Sequence, residues 1–381
     1  MKDALVIGAG NIGRGVVGYL LNRASYHLSF YDVNPENLVE MKELGGYSVF
    51  VDEKSRQTEN YVSSFSIVSP NIMSDALMEH DFIFCCVYEG AFESIAKNLA
   101  QAIQQSDKKS FKNIMLCVNS LGAPKKFSRF VTEFLKNDQE ALNYFHEKVG
   151  VNQVMVLSAA LPLPNELSEN FPYAVMITAN PHLEIDGVSF KGKKPQISDV
   201  EFVDNAEGRI YRKVYVGNMR HTMAAFIGAV EGMTYVYEAQ QDPRVRPWLE
   251  NAFEEAHQAI TDSYTFEPEE DAAWVSYMKE KLNQDIKDPI QRVVANPKIK
   301  LGASERFIGP AKLCLEHKIV PFYIAKGAAY GLRYLQRSDE RTIDELLTDV
   351  CGLNKEQDYF LYQLIRKQAD LIQCEERNDE I

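Results

Sequence analysis

The 381-residue sequence predicts an α/β protein, with an N-terminal Rossmann-type doubly wound domain followed by a mostly α-helical C-terminal domain. Three observations predict it. Short apolar runs alternate with amphipathic segments up to residue 157, a glycine-rich turn follows the first run, and helical periodicity takes over from about residue 206. At roughly 100–200 residues per domain the length suits two domains. Their expected bounds are 1–203 for NAD binding and 204–381 for catalysis and substrate.

Taken in order, Ala4–Ile7, Leu28–Tyr31, Asp81–Val87, Asn113–Asn119 and Val151–Leu157 read as buried strands. Amphipathic segments lie between them near 11–24, 35–44, 91–105 and 123–136. Nearly continuous apolar strands separated by helices imply a parallel sheet covered on both faces. Tyr47–Val51 and Tyr61–Val68 read as an additional strand pair. Ser158–Pro172, with prolines at 162, 164 and 172, reads as an irregular connection before late strands at Tyr173–Thr178 and Val200–Val203. Helical segments follow at 206–239, 245–265, 269–284, 288–296, 304–316, 319–337, 341–352 and 355–376.

The charge balance, 41 basic against 54 acidic residues for a net −13, argues against a general nucleic-acid or anionic-membrane binder. No apolar run is long enough to span a bilayer. Met1-Lys2-Asp3 leads straight into Ala4–Gly8 without an apolar leader, so a cytoplasmic location is expected. Six cysteines make no disulfide framework, and Cys85, Cys86 and Cys117 lie in apolar runs as reduced cysteines do. No long apolar stripe demands a partner, so a monomer is expected.

Gly8-Ala9-Gly10-Asn11-Ile12-Gly13 has the G-x-G-x-x-G spacing between a strand and a helix. The first glycine permits the tight turn, the second the approach of a pyrophosphate, and the third close packing of helix on strand. The helix start then offers free N–H groups and a positive dipole end to the phosphates. Asp32 ends the second strand about 20 residues beyond the loop, where a carboxylate accepts hydrogen bonds from the adenine ribose. A 2′-phosphate would meet like charge there, and Val33-Asn34 supplies no arginine, so NAD is expected over NADP.

Lys213, Asn218 and His221 form K-x4-N-x2-H within the helical run Glu207–Gly228. On a regular α-helix they stand at about 0°, 140° and 80°, on one face. Tyr144-x-x-x-Lys148 resembles a tyrosine–lysine dehydrogenase pair, but with 19 tyrosines such a match is expected by chance and is discounted. The histidines are scattered and no Cys/His cluster has zinc spacing, so no metal is expected.

The glycine loop Gly8–Gly15, Asp32 and the Lys213/Asn218/His221 set together resemble the polyol-specific long-chain dehydrogenases. Asn296-Pro297-x-x-Lys300-Leu301, Ser304-Glu305-Arg306-Phe307-Ile308 and the helix Gly327–Tyr334 resemble later segments of that family, in the same order. The resemblance implies interconversion of D-mannitol 1-phosphate and D-fructose 6-phosphate with NAD. Lys213 is then the acid/base, with Asn218 and Asn119 as donors to the alkoxide, His221 orienting the substrate hydroxyls, and Lys300 and Arg306 holding the phosphate. A desolvated lysine titrating towards neutrality suits that role.

Several positions depart from the family pattern. Ser158–Pro164 replaces an Asp-Arg pair, Tyr211 stands where glutamate is usual, Val118 precedes Asn119 in place of glutamate, and Gly309 replaces a basic residue. Fewer charges leave two other functions open: a dehydrogenase for a hexonate (mannonate or altronate) or a free polyol, and a non-catalytic NAD-binding sensor.

Overall fold

The computed structural model describes residues 2–53, 56–107, 110–161 and 163–379, so Pro162 lies outside the described residues. The chain divides into two compact units, Met1–Glu207 and Gly208–Ile381.

The first unit carries β1 (Asp3–Ile7), β2 (His27–Tyr31), β3 (Tyr47–Asp52), β4 (Gln57–Val62), β5 (Phe65–Ile67), β6 (Phe82–Cys85), β7 (Lys112–Leu116), β8 (Val149–Val156), β9 (Ala160–Leu161), β10 (Val175–Thr178), β11 (Leu183–Asp186) and β12 (Val200–Val203). Its main sheet has eight strands in the order β12-β11-β8-β7-β6-β1-β2-β5. From β5 to β8 every pairing is parallel. The strand order reverses beside β1, the crevice where open α/β sheets place ligands. Alternation along β1 sends Ala4 and Val6 into the core on one face and Leu5 and Ile7 into the core on the other. The doubly wound fold expected from the sequence is therefore present.

Some expectations required correction. Tyr61–Val68 is not one strand: β4 ends at Val62 and pairs with β3, whereas β5 joins the main sheet beside β2. A second, four-stranded sheet, β4-β3-β10-β9, absorbs part of the connection read as irregular, which also holds a short helix, Asn165–Asn170. The helix 11–23 packs against this second sheet through its glycines. A Cβ on Gly15 would lie 2.6 Å from Val175 Cγ1, and one on Gly18 2.7 Å from the Tyr47 hydroxyl.

The second unit is helical, as expected. Its central helix, Met219–Val230, is buried almost all round and packs against Phe322–Gln336. Gly327 and Gly331 allow that approach, since a Cβ at either would meet Phe307, Met223, Leu301 or Phe226 within 3.0 Å. The run read as one helix over 206–239 breaks after Val230 at Gly232, whose φ of +77° favours glycine.

Candidate active site

The glycine loop leaves β1 at Gly8, whose φ of +92° lies in the left-handed region. Gly8 N donates to Tyr31 O at 2.8 Å, tying the loop to the end of β2. A Cβ on Gly8 would fall 2.5 Å from the Cys86 carbonyl, and one on Gly13 only 1.9 Å from the Gly8 carbonyl. Gly10 differs, because nothing stands within 4 Å of where its Cβ would be. The first and third glycines thus fit protein against protein, and the second leaves open space beside the backbone.

Asp32 sits just beyond β2, half-buried. Its Oδ2 accepts from Ala9 N at 2.7 Å and its Oδ1 from Asn34 N at 3.0 Å. Arg14 grips the other side of Ala9, its Nε donating to Ala9 O at 2.6 Å and its guanidinium also reaching the Tyr173 carbonyl. Burial lowers the Arg14 pKa, opposed by the fields of Tyr47 and Asp32. Ala9 is therefore held at both its N–H and its carbonyl. Sequence reasoning missed Arg14, whose partners at 9 and 173 share no local spacing.

The helix after the loop opens as a π-helix, Asn11–Gly18, whose wider turn leaves Gly10 and Asn11 exposed. A second π-helix, Arg212–Asn218, carries Lys213 and Asn218. Both of these are half-buried, as is His221 on the following helix. The angles taken from a regular α-helix do not hold across this widened turn, which brings residues five apart nearer to one face.

Arg212 anchors that turn. It is 3% exposed, donates to Asp271 Oδ1 at 2.6 Å and also to Glu270, and lies over Phe266 and Trp274 at 4.2 and 4.6 Å from the ring centroids. His257 joins through Asp271 at 2.9 Å. Removing one partner of so buried an ion pair leaves a stranded charge.

His221 Nε2 lies 3.0 Å from Asp288 Oδ2, which orients the ring and leaves Nδ1 with no partner among the described residues. Arg292 Nε donates to Asp288 Oδ1 at 2.7 Å. Burial works to raise the Asp288 pKa, but hydrogen bonds from His221 and Arg292 hold it down at about 2. Neither Asp288 nor Arg292 was expected, because both lie far along the chain from the K-x4-N-x2-H set.

Lys300 and Arg306 form a cationic group with Arg292. Lys300 is pushed down to about 8, first by burial and then by the fields of Arg306 and Arg292, with Glu305 opposing. Its Nζ donates to the Ala295 carbonyl. Arg306 Nη1 donates to Thr222 Oγ1 at 3.2 Å, next to His221 in sequence, while its buried Nε has no hydrogen-bond partner among the described residues. Asn296 takes a left-handed φ of +53° and Pro297 starts the short helix bearing Lys300, so Asn-Pro is a turn here. The two departures at 211 and 309 lie against one side chain. Tyr211 packs edge-on to Tyr215 at 5.2 Å, and a Cβ on Gly309 would fall 2.2 Å from the Tyr215 hydroxyl.

Asn119, in the first unit, is exposed three residues beyond β7. Among the described residues His182, Glu184 and Glu201 bring possible metal-ligand atoms within 4.8 Å of one another. They lie on or beside β11 and β12, at the edge of the sheet remote from β1. No helix of the described residues is long and apolar enough to cross a membrane.

The family model for the mannitol dehydrogenase Rossmann domain matches residues 2–199, and that for the mannitol dehydrogenase C-terminal domain matches residues 209–371. Mannitol-1-phosphate 5-dehydrogenase of Bacillus pumilus (strain SAFR-032) is 31% identical over 96% of this chain and 99% of its own length. The protein of that name from Caldanaerobacter subterraneus subsp. tengcongensis is 29% identical over 90% and 89%. Among solved structures, Pseudomonas fluorescens mannitol 2-dehydrogenase, in ternary complex with NAD and D-mannitol, has a TM-score of 0.78 at 12% identity over 98% and 92% of the two chains. A substrate-free D-sorbitol dehydrogenase has a TM-score of 0.73 at 14% identity over 97% and 93%. Two family models that together cover nearly the whole chain lead to one conclusion: the chain belongs to the mannitol dehydrogenase family.

Proposed function

We propose that the protein is an NAD-dependent oxidoreductase that interconverts D-mannitol 1-phosphate and D-fructose 6-phosphate by metal-independent hydride transfer. The observation that carries the reading is the cationic group of the second unit. Lys300 is held near pH 8 by burial and by two arginines, and Arg306 keeps a buried Nε without a partner among the described residues. Such a group is costly until an anion joins it, and a phosphate offers bidentate acceptors to Arg306. The Bacillus pumilus relative bears the name of this activity.

The first unit fits NAD. The open space at Gly10 and the N–H groups opening the helix suit a pyrophosphate, and the Asp32 carboxylate suits a ribose diol. Bound there, the nicotinamide supplies the hydride acceptor in oxidation and the donor in reduction. Lys213, as the neutral amine, takes the hydroxyl proton at Nζ and returns it in the reverse direction. Asn218 donates N–H to the oxygen as it gains charge. His221, fixed by Asp288, orients the neighbouring hydroxyls through Nδ1. Lys300 and Arg306 hold the phosphate end.

Turnover of NADH against a panel of ketoses, after exhaustive chelation, tests this reading. D-fructose 6-phosphate is expected to show the highest kcat/KM, unchanged by the chelator. Preference for D-fructose or a ketoaldonate would transfer the site to a free polyol or hexonate. Binding of NADH without turnover of any member would make the protein a sensor.

A further inference from the structure

Tyr215 lies on the widened turn two residues after Lys213 and is 6% exposed. Its hydroxyl donates to the Ser304 carbonyl at 3.1 Å. Ser304 belongs to the irregular stretch between the helices Pro297–Lys300 and Ile308–Glu316, the stretch that carries Arg306. Without a regular ladder, that stretch depends on individual tethers to hold its shape. Just past its far end, in the first turn of the next helix, Gly309 is cut to fit the same hydroxyl, since a Cβ there would come within 2.2 Å of it. Tyr211 closes the ring edge-on at 5.2 Å, and Tyr264 packs against Tyr211 at 5.5 Å. Burial, with the fields of Tyr211, Glu305, Tyr264 and Glu316, pushes the Tyr215 phenol above its ordinary range, so it stays a donor at every working pH.

We infer that Tyr215 is a positioning residue for substrate recognition, its hydroxyl holding the Ser304–Arg306 stretch so that Arg306 meets the anionic end of the substrate. The inference rests on the reading of Arg306 as the phosphate ligand. Tyr215 touches no reacting atom. It fixes the distance between the turn that carries the base and the stretch that carries the arginine, and so bears on which substrate fits.

Tyr215→Phe removes the hydroxyl and keeps the ring. It is expected to raise KM for D-fructose 6-phosphate about five- to ten-fold, the effect of one lost hydrogen bond, with kcat within about two-fold. KM for NADH and kcat/KM for D-fructose should not change. Combined with Arg306→Ala it should add nothing to the effect of Arg306→Ala alone. Gly309→Ala, which crowds the hydroxyl from the other side, should shift KM for D-fructose 6-phosphate in the same direction. If Arg306→Ala raises that KM and Tyr215→Phe does not, the positioning role is overturned and the phosphate reading stands. If Tyr215→Phe lowers kcat/KM equally for D-fructose 6-phosphate and D-fructose, its role is only structural and the inference fails. If Arg306→Ala leaves KM for D-fructose 6-phosphate unchanged, both fall together.

Discussion

Two widened helical turns, Asn11–Gly18 and Arg212–Asn218, are held by opposite means. The first is held by missing side chains: Gly13, Gly15 and Gly18 let the Gly8 carbonyl, Val175 and Tyr47 come into contact with its backbone. The second is held by large ones, with Arg212 stacked on Phe266 and Trp274 and paired with Glu270 and Asp271. On the proposed reading, the difference separates two kinds of work. A turn stripped to backbone offers N–H groups to a ligand's phosphates, and its lesions should be lesions of affinity. A turn clamped by buried ion pairs holds the Lys213 side chain in place, and loss of that lysine should be a lesion of rate.

The largest effect expected from that contrast is on turnover. Lys213→Ala should lower kcat by about 10²–10⁴-fold, the range typical of general acid–base catalysis. The increase of wild-type oxidation rate with pH should disappear with it. Steady-state assays across pH 6–10 measure both.

The same contrast explains what could be read from the sequence. Glycine spacing, the alternating core of β1 and Asp32 act within about 30 residues of one another, so local pattern was enough to find them. Arg14 escaped because its meaning lies at Tyr173, and β5 because three residues leave too short a pattern to separate from β4. In the second unit the K-x4-N-x2-H spacing pointed to Lys213 and His221. The partners that define His221 and Lys300, namely Asp288 and Arg292, are brought in only by tertiary packing. The departures at Tyr211 and Gly309 looked unrelated in sequence until Tyr215 was seen to touch both.

A smaller effect, confined to affinity, is expected at Asp32. Asp32→Ala removes the acceptor for Ala9 N as well as the carboxylate proposed to bind the ribose. NADH should bind about 10–100-fold more weakly, the worth of a charge-assisted hydrogen bond or two. The gap between NADH and NADPH should narrow, and kcat at saturating cofactor should stay close to wild type. Fluorescence titration of both cofactors measures this, and equal use of NADP(H) and NAD(H) by the wild type would refute the role of the carboxylate.

The smallest effect is one of stability, away from both turns. Glu255 accepts from Tyr323 N at 3.0 Å and Ile324 N at 3.1 Å at the start of the helix Phe322–Gln336. Burial outweighs those bonds and raises its pKa from 4.5 to about 7. The folded state therefore holds the proton more tightly than the unfolded state does. That contribution is complete below about pH 4.5 and is lost as pH rises through 7. The part lost between pH 6 and pH 8, discounted for partial exposure, is about 1 kcal/mol, so over that range Tm should fall about 2–4 °C more in the wild type than in Glu255→Gln. Parallel thermal scans of the two proteins check it.

The central claim is that binding the dinucleotide and moving the proton belong to different units of the chain. Titrating NADH into Lys213→Ala, with turnover measured on the same preparation, tests it most directly. The account predicts a Kd for NADH within about two-fold of wild type while oxidation of the polyol phosphate is lost along with its dependence on pH. Near-wild-type turnover with an unchanged pH profile would contradict it.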